Sequence, residues 1–374
     1  MLISKNREKP DIAIGIVRAL IAVAAFGTAP LPATATSILA EQTETMEEID
    51  ETSVGLRSGS FVLAPIPFQN PVIGTGLVLG LGYLFDNGDG ANTSTLGIAA
   101  AGSDNGTRSY GAVANINTAA NRWRIQALAA RADLNYDLFV AGVPVPLTQE
   151  GVLARGRLMF GFTPDFATGA QLRYLDTTVS AASLPSEIIP DLNIEVASAG
   201  LVLDWDTRDS DVYPRTGLHV FASSLYNEVI RGADRDYVKS FGTYDHFFAI
   251  GDRAAFGTRF ALCSTEDAAP FYDACSLGGT DGFRGFSSTE FIDNTLASAQ
   301  AELRVKLAPR IGMTLFAGAG SVGRTLGDLA TWRQAGGVGF RYRISKQFPV
   351  DFSVDFTFND QDEQFTYIYV GQSF

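Results

Sequence analysis

The feature that most constrains this chain is a strict alternation of apolar and polar residues with a period of two. It is clearest over 350–359, where the even-numbered residues are apolar and the odd-numbered residues are polar or charged. The same alternation recurs over 338–345 and 299–307. Successive side chains of a strand point to opposite faces, so each segment is predicted to be a β-strand with one apolar and one polar face.

Alternation alone also fits a large soluble β-sandwich or propeller, so the fold class rests on further features. The patterned segments are longer than the strands of soluble sheets, which usually have about five or six residues. Only 18% of the residues are charged, yet no segment beyond the N-terminus is long and apolar enough for a membrane helix. We therefore predict an all-β fold, a transmembrane antiparallel β-barrel of about 16 strands over residues 58–374.

The N-terminus is predicted to be a secretory signal peptide covering residues 1–35. Lysine and arginine residues precede an apolar run over 12–31, and Ala33-Thr34-Ala35 follows as a small-residue cleavage site. This order is typical of export signals; an anchor helix is the alternative. Residues 36–57 are acidic and unpatterned, and we interpret them as a periplasmic linker. Export and a barrel together predict the bacterial outer membrane as the location.

Charge and cysteine content exclude some functions. A formal net charge of −13 argues against nucleic acid as a partner. Cys263 and Cys275 are the two cysteines, and they form either a disulfide in an oxidising compartment or two free thiols. The two histidines, His219 and His246, lie in separate strand-like segments. We predict no catalytic residues, no metal site and no cofactor, and hence a protein that is not an enzyme.

One long segment without strand pattern, 267–294, connects the predicted eleventh and twelfth strands. With both termini in the periplasm, short turns lie on the periplasmic side and long connections lie outside. The segment is therefore predicted to be the sixth extracellular loop. The other long connections are predicted at 138–149 and 181–191.

We predict that this loop folds into the lumen and is locked there by its arginine. Strand parity places three carboxylates on the lumen face, and a guanidinium can form a bidentate, partly desolvated pair with one of them. Glycine beside the arginine lets the backbone approach the wall, and the flanking phenylalanines bury apolar area. The alternative is an exposed loop with an incidental arginine. The residues of the predicted lock are Arg284, Gly285, Phe283, Phe286, Asp351, Asp355 and Glu302.

A second predicted feature is a weak lateral seam where the first strand meets the last. Pro65 and Pro67 lie in the first strand, and proline cannot donate a hydrogen bond to a neighbouring strand. The last strand is rich in aromatic residues and ends in Phe374, which resembles the C-terminal signal of bacterial outer-membrane barrels. The alternative is that the proline segment merely leads into the barrel.

The loop sequence Phe283-Arg284-Gly285-Phe286 resembles the arginine motif of the BamA/TamA superfamily, also called the bacterial surface antigen family. Segments 204–217 and 300–304 resemble the family's D-T-R-D turn and the strand that follows the loop. The resemblance covers about residues 58–374. It implies a barrel of about sixteen strands in which the sixth extracellular loop pairs Arg284 with Asp355.

The chain departs from the family pattern in three places. A second acid that the family often has is absent from Phe316-Ala317-Gly318-Ala319-Gly320, and Ser353 stands where an arginine is frequent. About twenty residues separate the predicted cleavage site from the barrel, which is too few for a periplasmic POTRA domain. The resemblance is therefore to the subgroup that lacks POTRA domains.

The resemblance implies a function in the insertion, assembly or translocation of proteins at the outer membrane. The expected partners are outer-membrane lipids, lipopolysaccharide and unfolded outer-membrane protein clients. One alternative is a passive pore or surface antigen that keeps the fold without the insertase role. The other alternative is an outer-membrane lipid hydrolase.

Overall fold

The computed structural model describes the barrel with a few gaps. The described residues are 60–85, 87, 91–92, 94–140, 142–181, 192–210, 213–232, 235–279, 282–343 and 351–373. The predicted signal peptide and linker lie outside this range, and so does Phe374. Among the described residues, no helix is long and apolar enough to cross a membrane.

Eighteen strands, numbered in chain order, make up nearly all of the regular structure in the described part. They are β1 Ser60–Asn70, β2 Gly74–Phe85, β3 Ser94–Ser103, β4 Arg108–Thr118, β5 Trp123–Val140, β6 Val143–Gly161, β7 Phe166–Ala181, β8 Leu192–Asp206, β9 Gly217–Arg231, β10 Asp236–Ile250, β11 Ala254–Thr265, β12 Cys275–Ser276, β13 Ile292–Asp293, β14 Thr295–Ala308, β15 Ile311–Gly323, β16 Arg333–Arg343, β17 Asp351–Asn359 and β18 Gln364–Val370. Short 3₁₀ helices lie at Phe271–Asp273 and Leu326–Asp328.

Sixteen of these strands close into one barrel, in which neighbouring strands are antiparallel. Neighbours follow chain order, except that β11 pairs with β14, since β12 and β13 pair with each other in the connection between them. β1 pairs with β18 and completes the ring. The predicted transmembrane barrel of about 16 strands is confirmed in its architecture.

The two rims of the barrel differ in the chain segments that lie at them. β1 begins and β18 ends at the same rim, which we call the terminal end. The long connection between β11 and β14 leaves from the opposite rim, which we call the loop end. The predicted orientation places the terminal end in the periplasm.

The two faces of the wall have opposite polarity. On β5, Ile125 is exposed on the outer surface, whereas Arg124 and Gln126 are buried toward the lumen. Alternation along each strand produces this division, and an apolar outer band is what a bilayer requires. Large apolar side chains exposed on the outer surface include Leu79, Ile98, Leu172, Leu201, Phe260, Phe340 and Phe356.

An aromatic cluster marks the terminal end at β5–β7. Trp123 packs edge-on against Phe160 at 5.2 Å between ring centroids, and Phe160 packs against Phe162 at 5.1 Å. Phe166 continues the cluster at 6.1 Å from Phe162. Aromatic rings collect where the hydrocarbon meets the head groups, so this cluster places the membrane boundary at the terminal end.

The long connection predicted over 138–149 is wrong, because these residues extend two strands instead. β5 continues to Val140, and β6 already begins at Val143. Residues 144–146 carry two prolines, which suggested a loop. β6 has β7 as a neighbour only from Leu147 onward, so the prolines lie where one edge of β6 is open and a missing donor is tolerated.

A charge placed on the outer surface tests the membrane-facing assignment. Leu201 lies well inside β8 and is 70% exposed. We predict that Leu201→Arg destabilises the folded barrel in vesicles by about 2–4 kcal/mol, whereas Ile250→Arg, at the end of β10, costs about 0–1 kcal/mol. Urea unfolding from phospholipid vesicles measures both. Equal costs for the two variants would contradict the assignment.

Candidate functional site

The connection between β11 and β14, residues 266–294 and here called the crossing loop, folds into the barrel. Its described residues are 266–279 and 282–294. Most of them are buried, although surface connections of soluble proteins are normally exposed. Tyr272, Leu277, Phe283 and Phe286 are each at most 1% exposed. The crossing loop is therefore part of the interior, and the contacts that hold it there define the candidate site.

Arg284 is the first anchor of the crossing loop. Its Nη2 donates to Glu302 Oε2 on β14 at 2.5 Å, and its Nη1 donates to Asp355 Oδ2 on β17. The guanidinium lies 3.6 Å above the ring centroid of Phe316 on β15. The arginine side chain is 2% exposed. One loop side chain thus binds three strands through charge-assisted hydrogen bonds and a cation–π contact.

Two wall arginines complete the first anchor. Arg304 Nε donates to Glu302 Oε1 at 2.6 Å, and Arg341 bonds to Asp355. Burial alone would lower the pKa of Arg284, but Glu302 and then Asp355 raise it above its ordinary value. The arginine therefore stays charged, and the carboxylates that share it are also paired with wall cations. Such pairing is what a buried charge needs in order to persist.

Neighbouring strands supply charges to the first anchor where the chain departs from the family pattern. Glu302 supplies the second carboxylate that the 316–320 segment lacks. Arg341 lies opposite Ser353 across the β16–β17 pair and supplies the second guanidinium. Ser353 itself donates to the Gly371 carbonyl at 2.6 Å. The first anchor thus joins two carboxylates with three guanidinium groups.

The close approach of the crossing loop depends on glycine. Gly285 has φ +115°, and a Cβ there would lie 2.5 Å from the Cβ of Ala335. A Cβ on Gly318 would lie 2.6 Å from the ring of Phe283. Gly318 lies in the segment that lacks the family's second acid, and its missing side chain makes room for the ring of Phe283.

Backbone and aromatic contacts fix the same part of the crossing loop. The Gly285 N–H donates to the Tyr367 hydroxyl at 2.9 Å, and Asn359 Nδ2 donates to the Gly285 carbonyl at 2.9 Å. Phe283 and Phe286 form an apolar cluster with Leu277, Leu296, Ala335 and the two cysteines. Cys263 of β11 and Cys275 are joined in a disulfide with Cα atoms 5.7 Å apart.

Asp273 is a second anchor, which the sequence reasoning missed. It is fully buried and accepts from Arg173 on β7 at 2.5 and 3.2 Å, from the Tyr237 hydroxyl at 2.6 Å and from Lys239 at 3.2 Å. Asn227 holds Arg173 from the other side at 2.8 Å. Burial alone would raise the pKa of Asp273, but Arg173 and then Lys239 lower it well below its usual range.

An apolar patch of the lumen wall surrounds the second anchor. Tyr272 belongs to one buried cluster with Leu153, Leu175 and Val196, which face the lumen on β6, β7 and β8. The lumen is therefore not polar throughout. The 3₁₀ turn of the crossing loop covers this patch and removes it from water, which adds apolar stabilisation to the ion pairs.

The two anchors lie on opposite walls. In the ring of sixteen strands β7 is the seventh and β17 is the fifteenth, so they are eight strands apart. A loop fixed to both walls must span the lumen. The crossing loop is therefore a bar across the barrel and not a flap along one side.

Asp351 lies outside the first anchor, although it was predicted as part of the lock. Its carboxylate accepts from Arg343 Nε at 3.1 Å and from Gln372 Nε2 at 2.9 Å. It shares the lumen face with Asp355 but lies four positions nearer the terminal end, about 13 Å along an extended strand. Parity alone gave the correct face and could not choose between these carboxylates.

The structure also locates the predicted seam. β1 pairs with β2 without interruption from Ser60 to Asn70. With β18, Gln69 opposite Ile368 is the one aligned pair in the described part of the chain. Both backbone groups of a residue in an antiparallel strand point to the same neighbour. Pro65 and Pro67 have the same parity as Gln69, so their backbone groups point to the same neighbouring strand as those of Gln69. Because the pairing with β2 is intact, the donors that the two prolines lack are on the β18 side.

The described residues contain no group of three or more His, Cys, Asp or Glu side chains placed to hold a metal ion. His219 contacts Asp204 at 3.2 Å on the lumen wall. His246 contacts the hydroxyl of Tyr244 at 3.1 Å. The two histidines thus lie in different surroundings and do not meet.

The Omp85 superfamily domain matches residues 105–374. Because this match covers well over half of the chain, the chain belongs to the Omp85 superfamily, as the resemblance of its arginine motif implied. It is an Omp85-type β-barrel of the bacterial outer membrane. No curated protein matches the chain in sequence.

Solved structures share the fold at low sequence identity. BamA from Haemophilus ducreyi lacking POTRA domains 1–3 superposes with a TM-score of 0.60 at 15% identity, covering 84% of this chain and 70% of that chain. CdiB from Escherichia coli gives 0.60 at 14% identity, covering 89% and 70%. CdiB from Acinetobacter baumannii gives 0.59 at 12% identity, covering 84% of this chain and 60% of that chain.

Removing Arg284 tests the first anchor. Arg284→Ala leaves two buried carboxylates short of a partner, and Asp355→Asn removes one charge without changing shape. We predict a loss of about 3–5 kcal/mol for the arginine variant, with lower folded yield for both. Heat-modifiable gel migration and protease resistance report the folded barrel. Arg324→Ala, which breaks an exposed pair with Asp267, is the control, with a cost within about 1 kcal/mol. A parent-like Arg284→Ala would refute the lock.

The second anchor gives a prediction about pH. Because the pKa of Asp273 is lowered in the folded state, its stabilisation is complete above the unfolded-state pKa and is lost as pH falls through the folded-state pKa. The stability difference between the parent and Asp273→Asn should stay constant from neutral pH down to about pH 4 and shrink below it. Urea midpoints across a pH series measure this difference. A difference that fades before about pH 5 would contradict the pairing.

Proposed function

We propose that this protein assists the insertion, assembly or translocation of proteins at the outer membrane through the seam between β1 and β18. The observation that carries the proposal is the seam itself, aligned at Gln69 and Ile368 in the described part of the chain. Pro65 and Pro67 remove two of the donors that β1 would present on that side. The barrel thus has one junction at which few backbone hydrogen bonds must be broken for the wall to open.

An open junction has a chemical use in a membrane. Strand edges present rows of unpaired N–H and C=O groups, which pair readily with another extended chain. The bilayer core offers no water for such groups, so a client strand entering there is favoured by every hydrogen bond it forms. β18 has seven residues and β1 has eleven, so β1 offers the longer edge.

The crossing loop determines which side of the seam moves. Its first anchor binds β14 and β17, and its Gly285 N–H binds Tyr367 on β18. Tyr369 of β18 also donates to Asp355 at 2.7 Å. The β18 side is therefore held rigid from within the lumen. Because these contacts hold β18, we propose that β1 moves and β18 stays when the seam opens.

We also propose that the protein is not an enzyme and acts without a cofactor. The buried charged groups of the crossing loop are engaged in the two anchors, whose ion pairs hold structure together. Its proposed partners are the outer-membrane lipids and lipopolysaccharide around the apolar band, and unfolded outer-membrane proteins at the seam. The bar across the lumen disfavours the passive-pore alternative.

A disulfide across the seam tests this function. Gln69→Cys combined with Ile368→Cys places two thiols at the aligned pair. The native cysteines are already bonded to each other and leave the new pair free to form. We measure the rate at which an unfolded outer-membrane barrel folds into vesicles. With the seam closed by the disulfide, we predict the same rate in vesicles that carry the protein as in empty vesicles. Reduction of the disulfide should restore the faster folding that the parent protein gives.

The matched control is a disulfide between strands that stay together. Ser224 and Ser240 face each other on β9 and β10 with hydroxyl oxygens 2.9 Å apart. The Ser224→Cys, Ser240→Cys protein should accelerate client folding as the parent does, before and after reduction. If the seam-linked protein accelerates folding as well as this control, the lateral seam is not where the protein acts.

A further inference from the structure

A cavity opens at the terminal end of the lumen, and Arg304 and Arg341 of the first anchor form part of its lining. It lies beside the turn between β14 and β15 and is lined by side chains of β14–β17, by Tyr213 and by Gln372. Its charged lining residues are mostly cations, which is unusual for a chain whose formal net charge is −13. The charged residues of the lining are Arg304, Lys306, Arg310, Arg341, Arg343 and Asp351.

Two of these cations are already neutralised by the first anchor. Arg304 is paired with Glu302, and Arg341 is paired with Asp355. A third, Arg343, uses its Nε to bind Asp351 at 3.1 Å. Asp351 also accepts from Gln372, so it has two donors of its own. The cavity therefore keeps an excess of positive charge after its internal pairs are formed.

Several donors at the cavity also lack an acceptor in the described part of the chain. Lys306 is exposed at the cavity, and none of the described carboxylates is paired with it. Arg310 Nε is buried without an acceptor. Thr314 is fully buried, lines the cavity, and its Oγ1 has no hydrogen-bond partner. A buried hydroxyl without a partner is costly, and here it stands on the wall of a cationic cavity.

We infer that this cavity binds a phosphate group. Lys306, Arg343 and Thr314 line one cavity, and an ammonium, a guanidinium and a hydroxyl together match the several acceptor oxygens of a tetrahedral oxyanion. The anion would accept from Lys306, Arg343 and Thr314. It would satisfy the buried hydroxyl and balance the local charge. Neither the seam nor the crossing loop is needed for this binding.

The phosphate can come from two sources with the same chemistry. One is free phosphate that enters the lumen from the periplasm. The other is the head group of a phospholipid in the inner leaflet, which reaches the same height beside the β14–β15 turn. Arg310 at this turn extends toward the outer surface, where its Nη1 lies 3.4 Å from the hydroxyl of the exposed Tyr342.

Calorimetric titration of the folded full chain with inorganic phosphate, at constant ionic strength set by chloride, tests the inference. Lys306→Gln and Arg343→Gln should each weaken binding about tenfold, and Thr314→Val should weaken it several-fold. The control is Arg122→Gln, which removes an exposed cation from the β4–β5 turn at the same end and should bind as the parent does. Heat-modifiable migration confirms that each variant is folded.

A second arm separates the two sources. The parent is titrated in phosphate-free detergent and in nanodiscs that contain phosphatidylglycerol. Weaker phosphate binding in the nanodiscs means that a lipid head group shares the cavity, whereas equal binding assigns it to free phosphate; both results support a phosphate site. The inference is overturned by a parent that shows no saturable binding, by an Arg122→Gln variant that loses as much affinity as Lys306→Gln, or by unchanged binding in Thr314→Val.

Discussion

The structure depends on one guanidinium buried on a loop. Arg284 lies between Glu302 and Asp355 with its side chain 2% exposed, and an unpaired charge in such a place would be strongly destabilising. Once the arginine enters the lumen, its two carboxylates, the cations behind them and the glycines that admit the backbone follow as requirements. The adjoining aromatic residues and the Asn359 and Tyr367 contacts then hold the crossing loop against one half of the barrel.

The second anchor changes the meaning of the first. A loop pinned only by Arg284 would thicken one wall, but Asp273 binds Arg173 on the opposite wall. The barrel is therefore braced across its diameter at the loop end, while the β1–β18 junction is weakly aligned. The braced walls and the weakly aligned junction thus lie at different places around the ring. A lateral opening would concentrate at this weakly aligned junction.

Local patterns in the sequence predicted the barrel, because segments such as 350–359 show directly which residues alternate and which of them share the lumen face. Parity also put Glu302, Asp351 and Asp355 on the correct face. It could not rank Asp355 above Asp351, since that choice depends on how deep the loop reaches. Asp273 was missed because its partner Arg173 lies a hundred residues away, and the 144–146 segment was misread because an open strand edge is a tertiary property.

If the two anchors hold the crossing loop as a closed bar over the lumen, removing one should loosen the bar and removing both should release it. Planar-bilayer conductance of the parent, of Arg284→Ala and Asp273→Asn alone, and of the two combined tests this most directly. The parent should pass little current, each single variant should flicker, and the combined variant should show large, long-lived openings. A parent that conducts steadily at the level of the combined variant would contradict the account.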